Sequence, residues 1–209
     1  MPEAGRRPGR RSAEQREQRQ DAILDAALAV FAEKGFAAAR LDDVAARAGV
    51  AKGTIYLYAA SKQALFEALV RRGISGPMQR IAAELPSLPP QAMIAHLLQQ
   101  MRRQVLGTPR ARLIRLVLTE GARFPELAAF YHREVISRGM ALIRGVAERA
   151  VAQGQAGAAP LAQFPQLVVA PLLLAVLWEG LFQDIAPLDA DALLQAHGEL
   201  LARGMGAAP

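Results

Sequence analysis

Between positions 52 and 58 the sequence KGTIYLY sets Lys52, Gly53, Thr54, Tyr56 and Tyr58 close together. One cation, three hydroxyl-bearing side chains and one position without a side chain can reach phosphate oxygens and base edges. That is the chemistry of holding a nucleic acid, not of breaking bonds. Groups for bond chemistry are scarce elsewhere. The three histidines, His96, His132 and His197, lie far apart and lack metal-ligand spacing. There is no glycine-rich phosphate loop of the usual spacing, no GxSxG elbow and no cysteine. No catalytic residue, metal or cofactor is therefore expected, and an enzyme is the weaker class.

To reach a duplex, these groups need an element that presents them. Leu41, Val44, Ala45 and Ala48 recur at helical spacing. Asp42 and Asp43 suit the opening turn of such a helix, where free N–H groups favour negative charge, and Gly49 suits its end. A second helix over 51–58 follows, with Val50 and Ile55 turned inward. It is too short to be stable alone, so its neighbours must hold it. Two helices around a tight corner make a helix-turn-helix, whose second helix enters the DNA major groove. An ordinary helical hairpin with no DNA role has the same spacing, and composition does not separate the two.

The whole chain sets bounds on the rest. At 209 residues with 52% apolar side chains it has ample core for one large domain or two small ones. Its net charge of +6 fits an anionic partner, nucleic acid or membrane surface. The longest apolar run, 167–178, is too short for a bilayer and contains Pro171, and the N-terminus has no apolar signal core. A cytoplasmic protein with no membrane partner is expected. Arg6, Arg7, Arg10 and Arg11 stand among Gly and Pro in a basic arm over 1–12. A first helix over 13–34 has the buried stripe Ile23, Ala27, Val30 and Phe31 and ends at Gly35. Ser61 can cap a later helix that carries Leu65, Phe66 and Leu69. Gly73, Gly76 and Pro77 predict a helix end or hinge there. Further helices are expected over 90–106, from the Thr108-Pro109 pair to 122, from 125 to 153, over 161–184 with a kink at Pro171, and from an Asp189 cap to Gly204.

AGVAKGTIYLYAASKQALF, with LAVFAEKGFAAARLDDVAARAGV ahead of it, is similar to the N-terminal domain of TetR-family transcriptional regulators, from about Asp21 to Leu69. The resemblance implies an all-α fold of about nine helices. A three-helix DNA-binding domain with a helix-turn-helix (13–60) would follow the flexible arm (1–12) and precede a helical effector-binding and dimerisation domain (61–209). It implies that Ala51, Lys52, Gly53, Thr54, Tyr56 and Leu57 lie in the groove, that Tyr58 and Lys62 clamp phosphates, and that Arg40 and Leu41 open the motif beside the duplex. Ala51 stands where Ser is common, Arg40 where a Thr cap is frequent, and Ala59 where the family usually has an aromatic residue. Loss of the capping hydroxyl is worth about 1 kcal/mol. Loss of the aromatic anchor predicts a looser reading head unless Phe36 or Phe66 fills the space.

In the second half, TEGARFPELAAFYHREV loosely resembles the AefR-like group of C-terminal regions. The family resemblance implies a small-molecule pocket there, with Met101, Glu120, Phe124, Phe130, Tyr131, Trp178 and Phe182 as candidates and His96, Arg123 and His132 as polar possibilities. Plain core packing is the alternative for each aromatic residue and for Met101. It also implies a homodimer through the last two helices, with Leu173, Val176, Leu193, Leu194, His197, Leu200 and Leu201 at the interface. The function so implied is a repressor that binds a palindromic double-stranded DNA operator and is released by a small apolar or amphipathic effector. A ligand-independent or activating regulator, or a helical membrane-surface or small-molecule-binding protein without DNA function, are the alternatives. Deletion of residues 2–11 is expected to weaken operator binding and flatten its salt dependence in a filter-binding titration. Equal affinity across salt would make the arm a mere solvated tail.

Overall fold

In the computed structural model the described residues are 8–85 and 88–206, with side chains from 13–85, 88–89 and 92–206. Among them there is no strand, and twelve α-helical segments carry the architecture. The chain divides into two compact units between Leu69 and Val70. The family resemblance implies a boundary at 60/61. Leu65, Phe66 and Leu69 are buried core residues, and this stretch belongs with the first unit.

The first unit holds α1 (Pro8–Ala38), α2 (Leu41–Ala48), α3 (Lys52–Tyr58) and all but the last residue of α4 (Lys62–Val70). Helix α1 starts at Pro8, so residues 8–12 of the expected arm are helical; residues 1–7 lie outside the described residues. The helix is broken at Gly35, which takes φ 72 and ψ 164. Ile23, Ala27, Val30 and Phe31 form its buried face, as their spacing predicts. Phe31 packs on Phe36 with ring centroids 5.3 Å apart, and Phe36 meets Phe66 edge-on at 6.2 Å. Helix α2 ends at Gly49 (φ 65, ψ 31), whose N–H reaches back to the carbonyls of Ala45 and Ala46. This left-handed conformation is one that a Cβ would strain.

The expected weak start of α2 is partly offset. Arg40 offers no side-chain cap, but the Asp43 carboxylate accepts the Arg40 backbone N–H at 3.2 Å, half of a capping box. Lys34 lies 2.8 Å from Asp43, and its ammonium holds that carboxyl below the ordinary range.

The second unit begins with a π turn, Arg71–Ser75, that follows α4 directly and leads into α5 (Gly76–Glu84). Here the sequence predicted a helix end or hinge, and the structure shows neither. In an α ladder residue 77 would donate its N–H to the Gly73 carbonyl. Proline has no N–H to give. The turn widens so that the Gly76 N–H reaches the Arg71 carbonyl, and the stranded Gly73 carbonyl accepts from Arg110 Nε. Helices α6 (Pro90–Val105) and α7 (Pro109–Glu120) come next, the latter capped by the Thr108 hydroxyl, which accepts the Arg110 N–H. A second π turn, His132–Ile136, joins α8 (Pro125–Tyr131) to α9 (Ser137–Ala152). The two π turns pack together, and the buried Ser75 hydroxyl donates to the Glu134 carbonyl at 3.4 Å.

The expected single helix over 161–184 is two: α10 (Ala159–Gln163) and α11 (Gln166–Leu181), bent 61° apart. Pro165 breaks the ladder, whereas Pro171 lies inside α11. Asp189 caps α12 (Ala190–Gly206) by accepting the Ala192 N–H at 2.9 Å. The main core of this unit joins α6, α9 and α12 through Met93, Leu97, Ile143, Val146 and Met205. Among the described residues no single helix is long and apolar enough to cross a bilayer.

Ala59 itself is buried, and the Phe31–Phe36–Phe66 cluster already fills the core of the first unit. Ala59→Phe is therefore expected to overpack this unit by about 1–3 kcal/mol and to lower its melting temperature by differential scanning fluorimetry. A higher melting temperature would mean that space for the ring remains.

Candidate functional site

A seven-residue helix owes its position to what it buries. In α3 that is Ile55, with no exposed surface, while Val50 in the preceding corner is half-buried. With Ile55 inward, Ala51, Lys52, Gly53, Tyr56 and Leu57 stand exposed, and Thr54 and Tyr58 are half-buried. Tyr56 exposes 51% and Leu57 84% of its surface, an apolar cost that nothing inside this unit explains. Arg40 is exposed and Leu41 half-buried at the start of α2. The structure thus brings the residues over 40–41 and 51–58 onto the helix-turn-helix, most of them solvent-facing.

Two lysines differ sharply in what they offer. Lys52 Nζ donates to Asp42 Oδ2 at 2.7 Å, and both side chains are more than half exposed. Its hydrogen bond to the Asp42 carboxylate holds the Lys52 ammonium above its ordinary range. So exposed a pair is weak and can open to a competing anion. Lys62 is engaged internally. Its Nζ donates to the Phe36 and Ala37 carbonyls at 2.8 Å each and lies 4.8 Å from the Phe36 ring centroid. Two of its three donors tie the start of α4 to the end of α1, a role that sequence reasoning missed and that carbonyls freed at the Gly35 break make available.

The second unit contains a cavity of about 150 Å³. Ile74, Met78, Met101, Met140, Leu142 and Leu172 are among the residues of its apolar wall, and Gln100, Gln104, Arg110 and Tyr131 bring polar atoms. Of the expected ligand residues, Met101 and Tyr131 line it. Burial pushes the Tyr131 phenol well up, so it remains a protonated donor. The others lie elsewhere. Phe130 is buried, with Arg71 and Arg133 over its ring. Phe124 is the N-cap of α8. Trp178 Nε1 donates to the Ala186 carbonyl and its ring meets Phe182, so the pair closes the chain after α11. Glu120 is absent from the lining, and its Oε2 is buried with no partner. Arg123 stands over Phe124, His96 pairs with Glu84 at 3.2 Å, and His132 with Ser137 at 3.3 Å. Arg110 carried no sequence signal, because its partner is a carbonyl freed by a proline.

The expected interface residues separate likewise. Val176 and Leu194 are buried in this chain's own core, and Leu173 lines the cavity. Leu193, His197 and Leu201 are half-buried, and Leu200 is 65% exposed. Also uncovered are Leu167, Leu174 and Leu181, seven residues apart along α11, followed by Phe182 and Ile185. Among the described residues no group of three or more His, Cys, Asp or Glu could hold a metal.

The sequence profile described as bacterial regulatory proteins, tetR family, matches residues 23–69. One described as tetracyclin repressor-like, C-terminal domain, matches residues 91–197, more than half the chain. YvdT, an uncharacterised HTH-type transcriptional regulator of Bacillus subtilis (strain 168), is 40% identical over 63 residues, 30% of this chain and 32% of YvdT. The chain thus matches about a third of the length of such curated relatives. Two solved structures share the fold. The transcriptional regulator FadR from Bacillus subtilis, in complex with stearoyl-CoA, has a TM-score of 0.65 and 20% identity over 88% of this chain and 97% of its own. A chain described as a transcriptional regulator from Saccharomonospora viridis, in complex with choline, has a TM-score of 0.69 and 19% identity over 88% and 96%.

The two lysines give opposite expectations. Lys52→Gln should leave the melting temperature unchanged and reduce the salt slope of duplex binding by about 1 per subunit. Lys62→Gln should lower the melting temperature, since it strands two carbonyls at a cost of about 1–3 kcal/mol. A Lys62→Gln protein that melts normally but loses salt dependence would make Lys62 a phosphate contact alone.

Proposed function

The chain belongs to the tetR family of bacterial regulatory proteins, and from that premise we propose that it is a ligand-responsive repressor that binds a palindromic operator as a homodimer. As a member it is a DNA-binding transcriptional regulator. In the proposed complex Ala51, Lys52, Gly53, Thr54, Tyr56 and Leu57 meet the major groove. Arg40, Leu41, Tyr58 and the third donor of Lys62 meet the adjoining backbone. Half-sites lie about 34–36 Å apart, one helical turn. A bound dimer at a promoter excludes polymerase, in the cytoplasm where the DNA is.

Gly53 is the observation that carries this reading. It sits in the first turn of a short helix, where glycine is a poorer helix former than alanine. A Cβ built there meets nothing within 4 Å in the protein, so the fold gives no reason for the bare position. Close approach of an outside backbone does. Exposed Tyr56 and Leu57 on the same helix support the same reading.

Release by a small apolar or amphipathic molecule rests on the cavity of the second unit. Stearoyl-CoA and choline in two structures of the same fold support a ligand of small-molecule class without choosing its charge. Such a ligand acts by preferring a conformation whose two reading heads are badly spaced. Dimerisation is supported by the uncovered stripe of Leu167, Leu174 and Leu181 on α11, with Leu200 on α12. A four-helix bundle between two copies would bury it.

Gly53→Ala separates function from folding. It is expected to raise the melting temperature slightly and to weaken binding to an operator selected from a genomic DNA library by about tenfold or more, read by gel shift. Unchanged operator affinity would remove α3 from the groove and this proposal with it.

A further inference from the structure

Arg110 is the one charged residue among those described that lines the cavity of the second unit. Arg110 enters it from α7, with its Nε donating to the Gly73 carbonyl and its Nη1 to the Gln104 carbonyl at 2.9 Å. Both partners are neutral, and among the described residues no carboxylate pairs with this guanidinium. Arg80, exposed and outside the lining, has no ion pair among the described residues either. Its Nη1 lies 4.0 Å from where a Cβ of Gly76 would stand. Residues 73, 76 and 80 follow one another on one side of a helical path, so both guanidinium groups gather on the same flank of the first π turn and the start of α5. Burial first, and then Arg80, hold the Arg110 guanidinium below its ordinary value. An anion between two such groups would relieve the repulsion and make charge-assisted bonds to each.

The rest of the cavity wants something different. Its wall is almost wholly apolar, and Met78, Met101 and Met140 give it flexible, polarisable sides. A dry cavity of this size holds a benzene-sized body, and movement of the methionines would admit about two more carbons. The Tyr131 hydroxyl is the exception in the lining. The residue is only 7% exposed. A pure hydrocarbon would offer its hydroxyl no acceptor, whereas an oxygen-bearing ligand would accept from it.

We propose that the effector is an amphipathic oxyanion, with an apolar body of about six to eight carbons in the cavity and a carboxylate or phosphate monoester head held by Arg110 and Arg80. This rests on the reading that a small molecule enters this cavity, and it goes further by fixing the sign of its charge and the end at which it lies. A quaternary ammonium such as choline is excluded by the same two arginines.

The test is calorimetric titration of the full-length protein with octanoate, octyl phosphate, octanol and octylamine. One or both anions should bind about tenfold tighter than octanol, the worth of one charge-assisted hydrogen bond, and octylamine should bind weakest. The tighter of the two anions identifies the head. Arg110→Gln would strand the Gly73 carbonyl and could unfold the π turn, so the diagnostic variant is Arg80→Gln. That exposed change should weaken anion binding about tenfold and leave octanol where it was. Octanol or octylamine binding as tightly as both anions, or anion affinity unchanged in Arg80→Gln, would overturn the anionic effector while leaving the cavity as a ligand site. Failure of all four compounds to bind would overturn the ligand-site reading itself.

Discussion

A helix of seven residues is not stable in water, and this constrains everything the first unit presents. Helix α3 exists because Ile55 is wholly buried and because α2, itself packed on α1, lies against it. The core of this unit is aromatic, with Phe36 between Phe31 and Phe66. Lys62 then secures it from outside, bonding the two carbonyls that the break at Gly35 leaves near the end of α1. Rigidity below is what lets Gly53, Tyr56 and Leu57 remain exposed above. A reading surface has no packing of its own to hold it, so its precision is borrowed from the core.

Charge is arranged around the same element with little stored energy. Lys34–Asp43, Arg47–Glu33 and Lys52–Asp42 are all substantially exposed pairs, and pairs of that kind contribute little to stability. Their value is positional. They keep α1, α2 and α3 in register while leaving cations that can exchange a carboxylate for a phosphate at small cost. Lys52 is of this kind, and Lys62, held by two carbonyls and a ring, is not. A count of basic residues cannot tell such a reserve from a structural clamp.

The second unit solves another problem, that of a cavity inside a helical bundle. Straight α ladders close their own hydrogen bonds and leave no polar group for a neighbour. The two π turns interrupt the ladder, and each offers a carbonyl to a side chain: Gly73 to Arg110, Glu134 to Ser75. Gly73 and Ile74 of one, and Val135 and Ile136 of the other, line the cavity. Widened turns are common at functional sites. Here they let an arginine and a buried serine be satisfied beside an apolar space that a well-packed core would otherwise fill.

Where the sequence was legible, one physical signal dominated. The stripe on α1, the α2–α3 corner with Gly49, and the Thr108 and Asp189 caps each follow from local chemistry, and each stands where that chemistry puts it. Legibility failed where two signals conflicted or none existed. Gly73, Gly76 and Pro77 read as a stop, because the loss of an N–H is visible in sequence and the distant Arg110 that compensates for it is not. Helix α11 reads as apolar all round, so periodicity marks no face. Its neighbours do the sorting: Val168, Ala175 and Val176 go to the core, Val169, Leu172 and Leu173 to the cavity, and Leu167, Leu174 and Leu181 outward. Three surfaces on one uniformly greasy helix can be told apart only by what packs on them. The ligand candidates divided for the same reason: aromatic residues were expected in a pocket, and all but Tyr131 went instead to caps, loop closures and cation–π pairs. The rest of the cavity was left mainly to methionines and aliphatic side chains, which can yield to a guest.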